Sequence, residues 1–116
     1  MNIADQNTAF QNELRKILKK HKLRDKFYQS LCRDILKKPV CPREAPIIRV
    51  ENAIKFVKRY VVNPGKQRSK KHGFRVFYCL SETTIYLCMI IDVSEKAKEL
   101  STEQYIKIMK ERTADM

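Results

Sequence analysis

The residues best suited to chemistry in this sequence form a basic run that leads directly into an apolar strand. The stretch GKQRSKKHGFRVFYC, residues 65–79, begins with five basic residues in eight positions: Lys66, Arg68, Lys70, Lys71 and His72. Arginine and lysine bind phosphate groups, and a histidine with its intrinsic pKa near neutrality can act as an acid or a base. The residues alone leave two interpretations open, a solvated turn or the phosphate-handling part of an active site.

Arg75 is set apart from this run by the alternation of the strand that follows. Successive side chains of a strand point to opposite faces of the sheet, so Arg75 faces away from its apolar neighbours. One face of the predicted hairpin is apolar and should pack on helices; it comprises Phe74, Val76, Tyr78, Leu80, Ile85, Leu87, Met89 and Ile91. The other face carries Arg75 with Phe77, Cys79, Tyr86 and Cys88. Tyr86 could stack on a base there, although both polar residues could equally cover an exposed sheet face.

The preceding strand, KFVKRYVV, adds three spaced cations. Alternation places Lys55 and Arg59 on one face and Lys58 on the other, beside Ile54, Phe56 and Tyr60. Burial of a lysine is costly. We therefore expect Lys58 to lie near a strand end or a bulge, or the register to be shifted by one residue.

Positive charge is concentrated in the first two thirds of the chain, which has a formal net charge of +12. Residues 1–38 hold ten Lys/Arg against four acids, and residues 52–81 hold eight Lys/Arg and no acid. From residue 82 onward there are five Lys/Arg against seven acids. Such a field attracts polyanions, so nucleic acid is the first candidate partner, before an acidic protein and a membrane surface.

Length and composition favour one small domain of 116 residues. We expect no membrane span, since no run approaches 18 apolar residues, and a cytoplasmic location, since MNIADQNTAF lacks the features of a secretory signal. The four cysteines form no CxxC pair and only two histidines are present. This spacing proposes no metal site and no cofactor, and it favours free buried thiols over a disulfide.

The elements that must position these residues follow from hydrophobic periodicity. Two amphipathic helices precede Pro39, and capping-box spacing is seen at Thr8/Gln11 and again at Ser101/Gln104 before a C-terminal helix. Beyond the proline-rich residues 39–46 the period changes to about 2, which is typical of strands. The sequence predicts an α+β domain in which two N-terminal helices pack on a mainly antiparallel sheet of three or four strands. Residues 1–3 could add a short edge strand.

The order helix–helix–strand–basic turn–strand–strand–helix resembles the RelE/ParE superfamily of small bacterial toxins, most closely its RelE/HigB branch. The resemblance covers about residues 52–105 and rests on three segments. KFVKRYVV has the spaced cations, and KKHGFRVFYCL is similar to the basic–Gly–aromatic–Arg–apolar–apolar–Tyr signature of the family. IYLCMIIDVSEKAKELS resembles its last strand, short charged segment and entry to the C-terminal helix.

The resemblance implies a metal-independent endoribonuclease in which a ribose 2′-OH attacks the adjacent phosphate. Arg75 matches the signature arginine and would stabilise the transition state, while Lys55 and Lys58 match the paired strand lysines of the family. His72 would be a possible acid or base. The residues expected to hold RNA are Arg59, Lys66, Arg68, Lys70, Lys71, Tyr86, Lys96 and Lys98. The last two are the nearest substitutes for a cation that relatives place where Val93 stands, and Tyr105 is the nearest match to a C-terminal aromatic acid/base.

The function implied is that of the toxin of a type II toxin–antitoxin system, which cleaves mRNA on the ribosome and inhibits translation. Its partners would be mRNA, the 16S ribosomal RNA at the A site, and a cognate antitoxin protein. Two alternatives stay open, a ParE-type binder that poisons gyrase and a non-catalytic RNA-binding relative.

Overall fold

The computed structural model of the protein describes residues 1–65, 73–93 and 99–114. In these ranges the chain is α+β, as predicted, with no helix long and apolar enough to cross a membrane. The elements are β1 (Asn2–Ala4), α1 (Thr8–Lys20), α2 (Asp25–Lys37), β2 (Ile47–Glu51), β3 (Ile54–Val61), β4 (Phe74–Leu80), β5 (Thr84–Asp92) and α3 (Thr102–Arg112).

The described strands form one mixed sheet of five, in the order β1-β5-β4-β3-β2. The three pairings among β2, β3, β4 and β5 are antiparallel, whereas β1 lies parallel to β5. The sheet therefore has one or two strands more than the three or four that were predicted. The short N-terminal edge strand does form, one residue later than expected.

Helix α1 begins at a different cap from the one predicted. The side chain of Asn7, not Thr8, accepts a hydrogen bond from the backbone N–H of Phe10 at 2.9 Å. Gln11 instead donates to the carbonyl of Asp5 at 2.6 Å. Asparagine is as good an N-cap as threonine or better, so the neighbouring residue took the position. The second capping box, between Ser101 and Gln104, is confirmed at the start of α3.

Helices α1 and α2 cover one face of the sheet with the apolar stripes that their periodicity predicts. The buried side chains of this core come from both helices and from alternate positions of the central strands, namely Phe10, Leu14, Ile17, Leu31, Ile35, Val57, Phe74, Val76, Tyr78, Leu80, Ile85, Leu87 and Ile90. The Tyr78 hydroxyl donates to the carbonyl of Pro39. The end of α2 is thereby tied to the middle of the sheet.

Helix α3 covers the other face, so the sheet lies between two helical layers. Its buried residues Tyr105, Ile106 and Met109 pack in a second core with sheet residues that include Phe56 and Phe77. Much of the sheet face that carries Arg75 is therefore core.

A β-bulge at Cys88 corrects the predicted faces of the last strand. Phe77 pairs with Met89, but the next residue, Tyr78, pairs with Leu87, so Cys88 is the extra residue. A bulge of this kind shifts the alternation by one position. Met89 and Ile91, which were predicted to face α1 and α2, consequently lie on the α3 side of the sheet. Ile90 lies in the core under α1 and α2 instead.

The four cysteines are free, as the sequence favoured. Cys79 and Cys88 are buried, with their sulfur atoms 3.8 Å apart across the bulge. Cys32 and Cys41 are only half-buried. The expectation of buried thiols is thus confirmed for the two strand cysteines and wrong for the other two.

Candidate phosphate-binding site

Two predicted cations meet on the α3 side of the sheet, on neighbouring strands. In the antiparallel ladder Lys58 lies opposite Phe77, and Tyr60 lies opposite Arg75. Residues directly opposite each other share a face, so the side chains of Lys58, Tyr60 and Arg75 emerge together. With Glu99, which precedes α3, they form what we call the Lys58–Arg75 site.

The guanidinium group of Arg75 is buried without being fully satisfied. Only 7% of the residue is exposed. Its central carbon lies 4.4 Å from the centroid of the Tyr60 ring, which is a cation–π contact. One terminal nitrogen donates to the carbonyl of Phe74 at 3.1 Å, but Nε has no hydrogen-bond partner among the described residues. Its buried Nε–H donor is therefore unsatisfied.

Lys58 lies beside Arg75 and contacts a carboxylate and three aromatic rings. Its Nζ donates to Oε1 of Glu99 at 2.8 Å. The same atom lies 5.4 Å from the ring centroid of Tyr60, 5.7 Å from that of Tyr105 and 6.0 Å from that of Phe77. Lys58 lies opposite Phe77, where the β4–β5 bulge begins, and next to Val57, where the β2–β3 register shifts. The expectation that it lies near a bulge is therefore confirmed, and its contacts with the carboxylate and the rings stabilise its ammonium group.

Glu99 joins the two cations through one carboxylate oxygen. Oε1, which accepts from Lys58, also lies 3.9 Å from Nε of Arg75. That second distance is within ion-pair range but too long for a hydrogen bond. The Glu99 side chain is 46% exposed, against 8% for Arg75, so the acid is the outer member of the cluster.

Tyr105 lies beneath the site rather than in it. The residue is 3% exposed, and its ring packs on that of Phe77 with centroids 4.3 Å apart. Its hydroxyl accepts a hydrogen bond from the backbone N–H of Leu100 at 3.0 Å, and burial raises its pKa. The geometry gives Tyr105 the role of a core residue that supports Lys58.

Lys55 and Arg59 lie on the opposite face of β3, as alternation predicts, and are therefore not brought to the site. Lys55 is exposed and pairs with Leu80. Arg59 is only 7% exposed and donates to the carbonyl of Lys38 at 2.8 Å, beyond the last turn of α2. A cation is favourable at the C-terminal end of a helix, so the structure gives Arg59 a helix-capping role in place of RNA contact.

Tyr86 shares the face of Arg75 but lies at the other end of it. It pairs with Cys79, four residues from Arg75 along β4, a separation of about 13 Å at the usual rise of a strand. There it lines an open groove with Phe56 and Lys110. Any base that it stacks would be one or more nucleotides from a phosphate at Arg75.

Seven predicted site residues lie outside the described residues: Lys66, Arg68, Lys70, Lys71, His72, Lys96 and Lys98. Within the described ranges no group of three or more His, Cys, Asp or Glu side chains could hold a metal ion. The chemistry available in the described part of the site is thus that of a guanidinium, an ammonium and a carboxylate.

Two members of the site were not identified from the sequence as site residues. Tyr60 could have been found, because it follows Lys58 by two positions and must share its face. Glu99 gave no signal, since it lies between strand and helix in a stretch without periodicity.

Comparisons with known proteins add no family and no fold. No protein-family model, no curated protein and no solved structure matches the chain.

Proposed function

We propose that this protein binds RNA through a backbone phosphate at the Lys58–Arg75 site and cleaves it as an mRNA-directed toxin. The observation that carries the proposal is the buried guanidinium of Arg75, which lies beside Lys58 and whose Nε has no hydrogen-bond partner in the described part of the chain. An arginine held in this way offers donors in a fixed geometry, which suits the oxygens of a phosphate group.

In the proposed reaction the two cations act on the charge of the phosphate. The ribose 2′-OH attacks the adjacent phosphorus, the bond to the leaving 5′ oxygen breaks, and a 2′,3′-cyclic phosphate remains. Arg75 and Lys58 would stabilise the additional negative charge of the transition state. The proton of the 2′-OH passes to a base and the leaving oxygen takes a proton from an acid, roles for which His72 remains a candidate.

The partners proposed are mRNA on the ribosome, 16S ribosomal RNA at the A site and a cognate antitoxin, in the cytoplasm. Residues 1–38 support the contact with ribosomal RNA, because they carry ten Lys/Arg against four acids and form two surface helices. A field of this sign speeds association with polyanions.

A second candidate function is RNA binding without cleavage. It is favoured by the position of Lys55, which leaves one strand lysine at the site in place of two, and by the burial of Tyr105. It differs from the cleavage proposal in one predicted result: RNA bound by the protein would stay intact.

Expression in a bacterial host tests the cleavage proposal. Wild-type protein should stop growth and fragment mRNA, leaving cyclic-phosphate 3′ ends. Arg75→Ala should abolish both effects, and Arg75→Lys should restore little, because lysine lacks the bidentate fork and Nε. Circular dichroism of each purified variant establishes that it folds.

Lys107→Ala is the matched control, since it removes one positive charge from an exposed position of α3. It should leave cleavage unchanged. Equal effects of wild type and Arg75→Ala on growth and message would refute the mechanism. DNA damage with intact mRNA would instead favour a gyrase-poisoning binder.

A further inference from the structure

Glu99 occupies the position that an anionic ligand would take between the two cations. A single oxygen, Oε1, lies 2.8 Å from Nζ of Lys58 and 3.9 Å from Nε of Arg75. A phosphate group between Lys58 and Arg75 would occupy the same place. The side chain therefore satisfies one cation and only approaches the other.

The incomplete fit is visible at Arg75. More than nine-tenths of this residue is buried, yet its Nε–H lacks an acceptor in the described part of the chain. Oε1 of Glu99 accepts from Lys58, and neither oxygen of Glu99 accepts from Nε of Arg75. A phosphate group presents oxygens in a tetrahedron, so one can accept from Lys58 while another accepts from Arg75 Nε.

Exposure shows which member of the cluster can leave. The Glu99 side chain is 46% exposed, whereas those of Lys58 and Arg75 are 17% and 8% exposed. The cations are held by the sheet and by the ring of Tyr60. Glu99 can rotate into solvent without disturbing either core.

We propose that Glu99 is a built-in competitor for the phosphate site, and that a bound phosphodiester displaces its carboxylate from Lys58 and Arg75. The inference rests on the phosphate-binding part of the proposed function and adds a regulatory element to it. In the free protein Glu99 pairs with Lys58 and lies near Arg75, and a ligand must replace both contacts to bind at the site.

Titration with inorganic phosphate tests this inference, with the Arg75 Nε–H signal followed by ¹H–¹⁵N NMR spectroscopy. Glu99→Gln should bind phosphate about threefold to fivefold more tightly than wild type, since exposed ion pairs of this kind contribute up to about that factor. Glu103→Gln is the control because it removes the same charge from an exposed residue that pairs with Arg49 instead. Its affinity for phosphate should stay at the wild-type value.

The outcomes separate this inference from the proposed function. Tighter phosphate binding by Glu99→Gln than by Glu103→Gln supports the inference even if Arg75→Ala leaves mRNA cleavage unaltered. Equal binding by the two variants overturns the inference alone. Weaker binding by Glu99→Gln than by wild type would also overturn it, because the carboxylate would then support the bound phosphate instead of competing with it. No shift of the Arg75 signal in any variant overturns the phosphate site and the inference together.

Discussion

The imidazole of His21 donates from Nε2 to Oδ2 of Asp92 at 2.6 Å, and the two side chains are only 4% and 8% exposed. On the other side of the ring, the Asn63 amide donates to Nδ1 at 3.0 Å while its oxygen accepts from the backbone N–H of Gly65. The array joins the end of α1 to the end of β5 and to residues 63–65. It ties residues 63–65, which precede the basic residues in sequence, to the folded core.

Removal of the Asp92 carboxylate should destabilise the fold. Asp92→Ala leaves the buried Nε2–H of His21 without its acceptor, so we expect the free energy of unfolding to fall by about 2 kcal/mol. Urea denaturation followed by circular dichroism measures the loss. Glu82→Ala, an exposed acid in the turn between β4 and β5, should change it by less than about 0.5 kcal/mol. Equal losses of unfolding free energy in Asp92→Ala and Glu82→Ala would contradict a stabilising role for the contact between Asp92 and His21.

Gly73 and Gly65 should respond very differently to alanine. A Cβ at Gly73 would lie 2.0 Å from the carbonyl oxygen of Val61, so backbone must move to accept it. At Gly65 the nearest atom is the Asn63 side-chain oxygen at 3.5 Å, an ordinary contact. We expect Gly73→Ala to cost about 3 kcal/mol or more and Gly65→Ala less than about 0.5 kcal/mol, measured by thermal unfolding. A stable Gly73→Ala protein would contradict the close approach of β3 and β4.

Local periodicity was sufficient to predict the helices, the hairpin and the faces of β3 and β4. It could not predict the bulge at Cys88, because an extra residue in a strand of continuous apolar character leaves the pattern unchanged. Nor did it predict that α3 covers the second face, because Arg75 and Tyr86 on that face are also compatible with an exposed sheet surface. These features depend on contacts between distant segments, such as Tyr105 with Phe77.

Alternation along the strands also predicted part of the site. Alternation alone places Arg75 away from the core under α1 and α2, and Lys58 away from Lys55. The resemblance predicted Lys55 as a site residue because it compares positions in sequence. In the sheet, Lys55 lies on the face opposite to Lys58 and Arg75. Glu99 belongs to no periodic element, so only the folded chain shows that its carboxylate reaches Lys58.

Cys41 should react with alkylating agents before Cys32, although both are half-buried. Hydrogen bonds from the backbone of Glu44 and Arg43 lower the pKa of the Cys41 thiol, and burial raises that of Cys32. A lower pKa gives more thiolate at a given pH, so the rate at Cys41 should rise through a midpoint below that of a free cysteine, about 8.5.

Iodoacetamide labelling across neutral pH, with mass spectrometry of the peptides, measures both rates in one sample. Cys79 and Cys88 are buried in the core under α3 and should stay unmodified until the protein unfolds. Faster labelling of Cys32 than of Cys41 would contradict the assignment.

Tyr60 should contribute to RNA affinity through Arg75 rather than through contact of its own. The ring supports the guanidinium at 4.4 Å and lies 5.4 Å from the ammonium of Lys58, so its loss would free both cations to move. We expect Tyr60→Leu to weaken binding of a short single-stranded RNA by about 1 kcal/mol, the usual contribution of a cation–π contact at a partly exposed position. Tyr60→Phe keeps the ring and should bind as the wild type does. Fluorescence anisotropy at fixed ionic strength measures the three affinities. If Tyr60→Phe loses as much as Tyr60→Leu, the hydroxyl rather than the ring carries the effect, and the support of Arg75 by the ring is refuted.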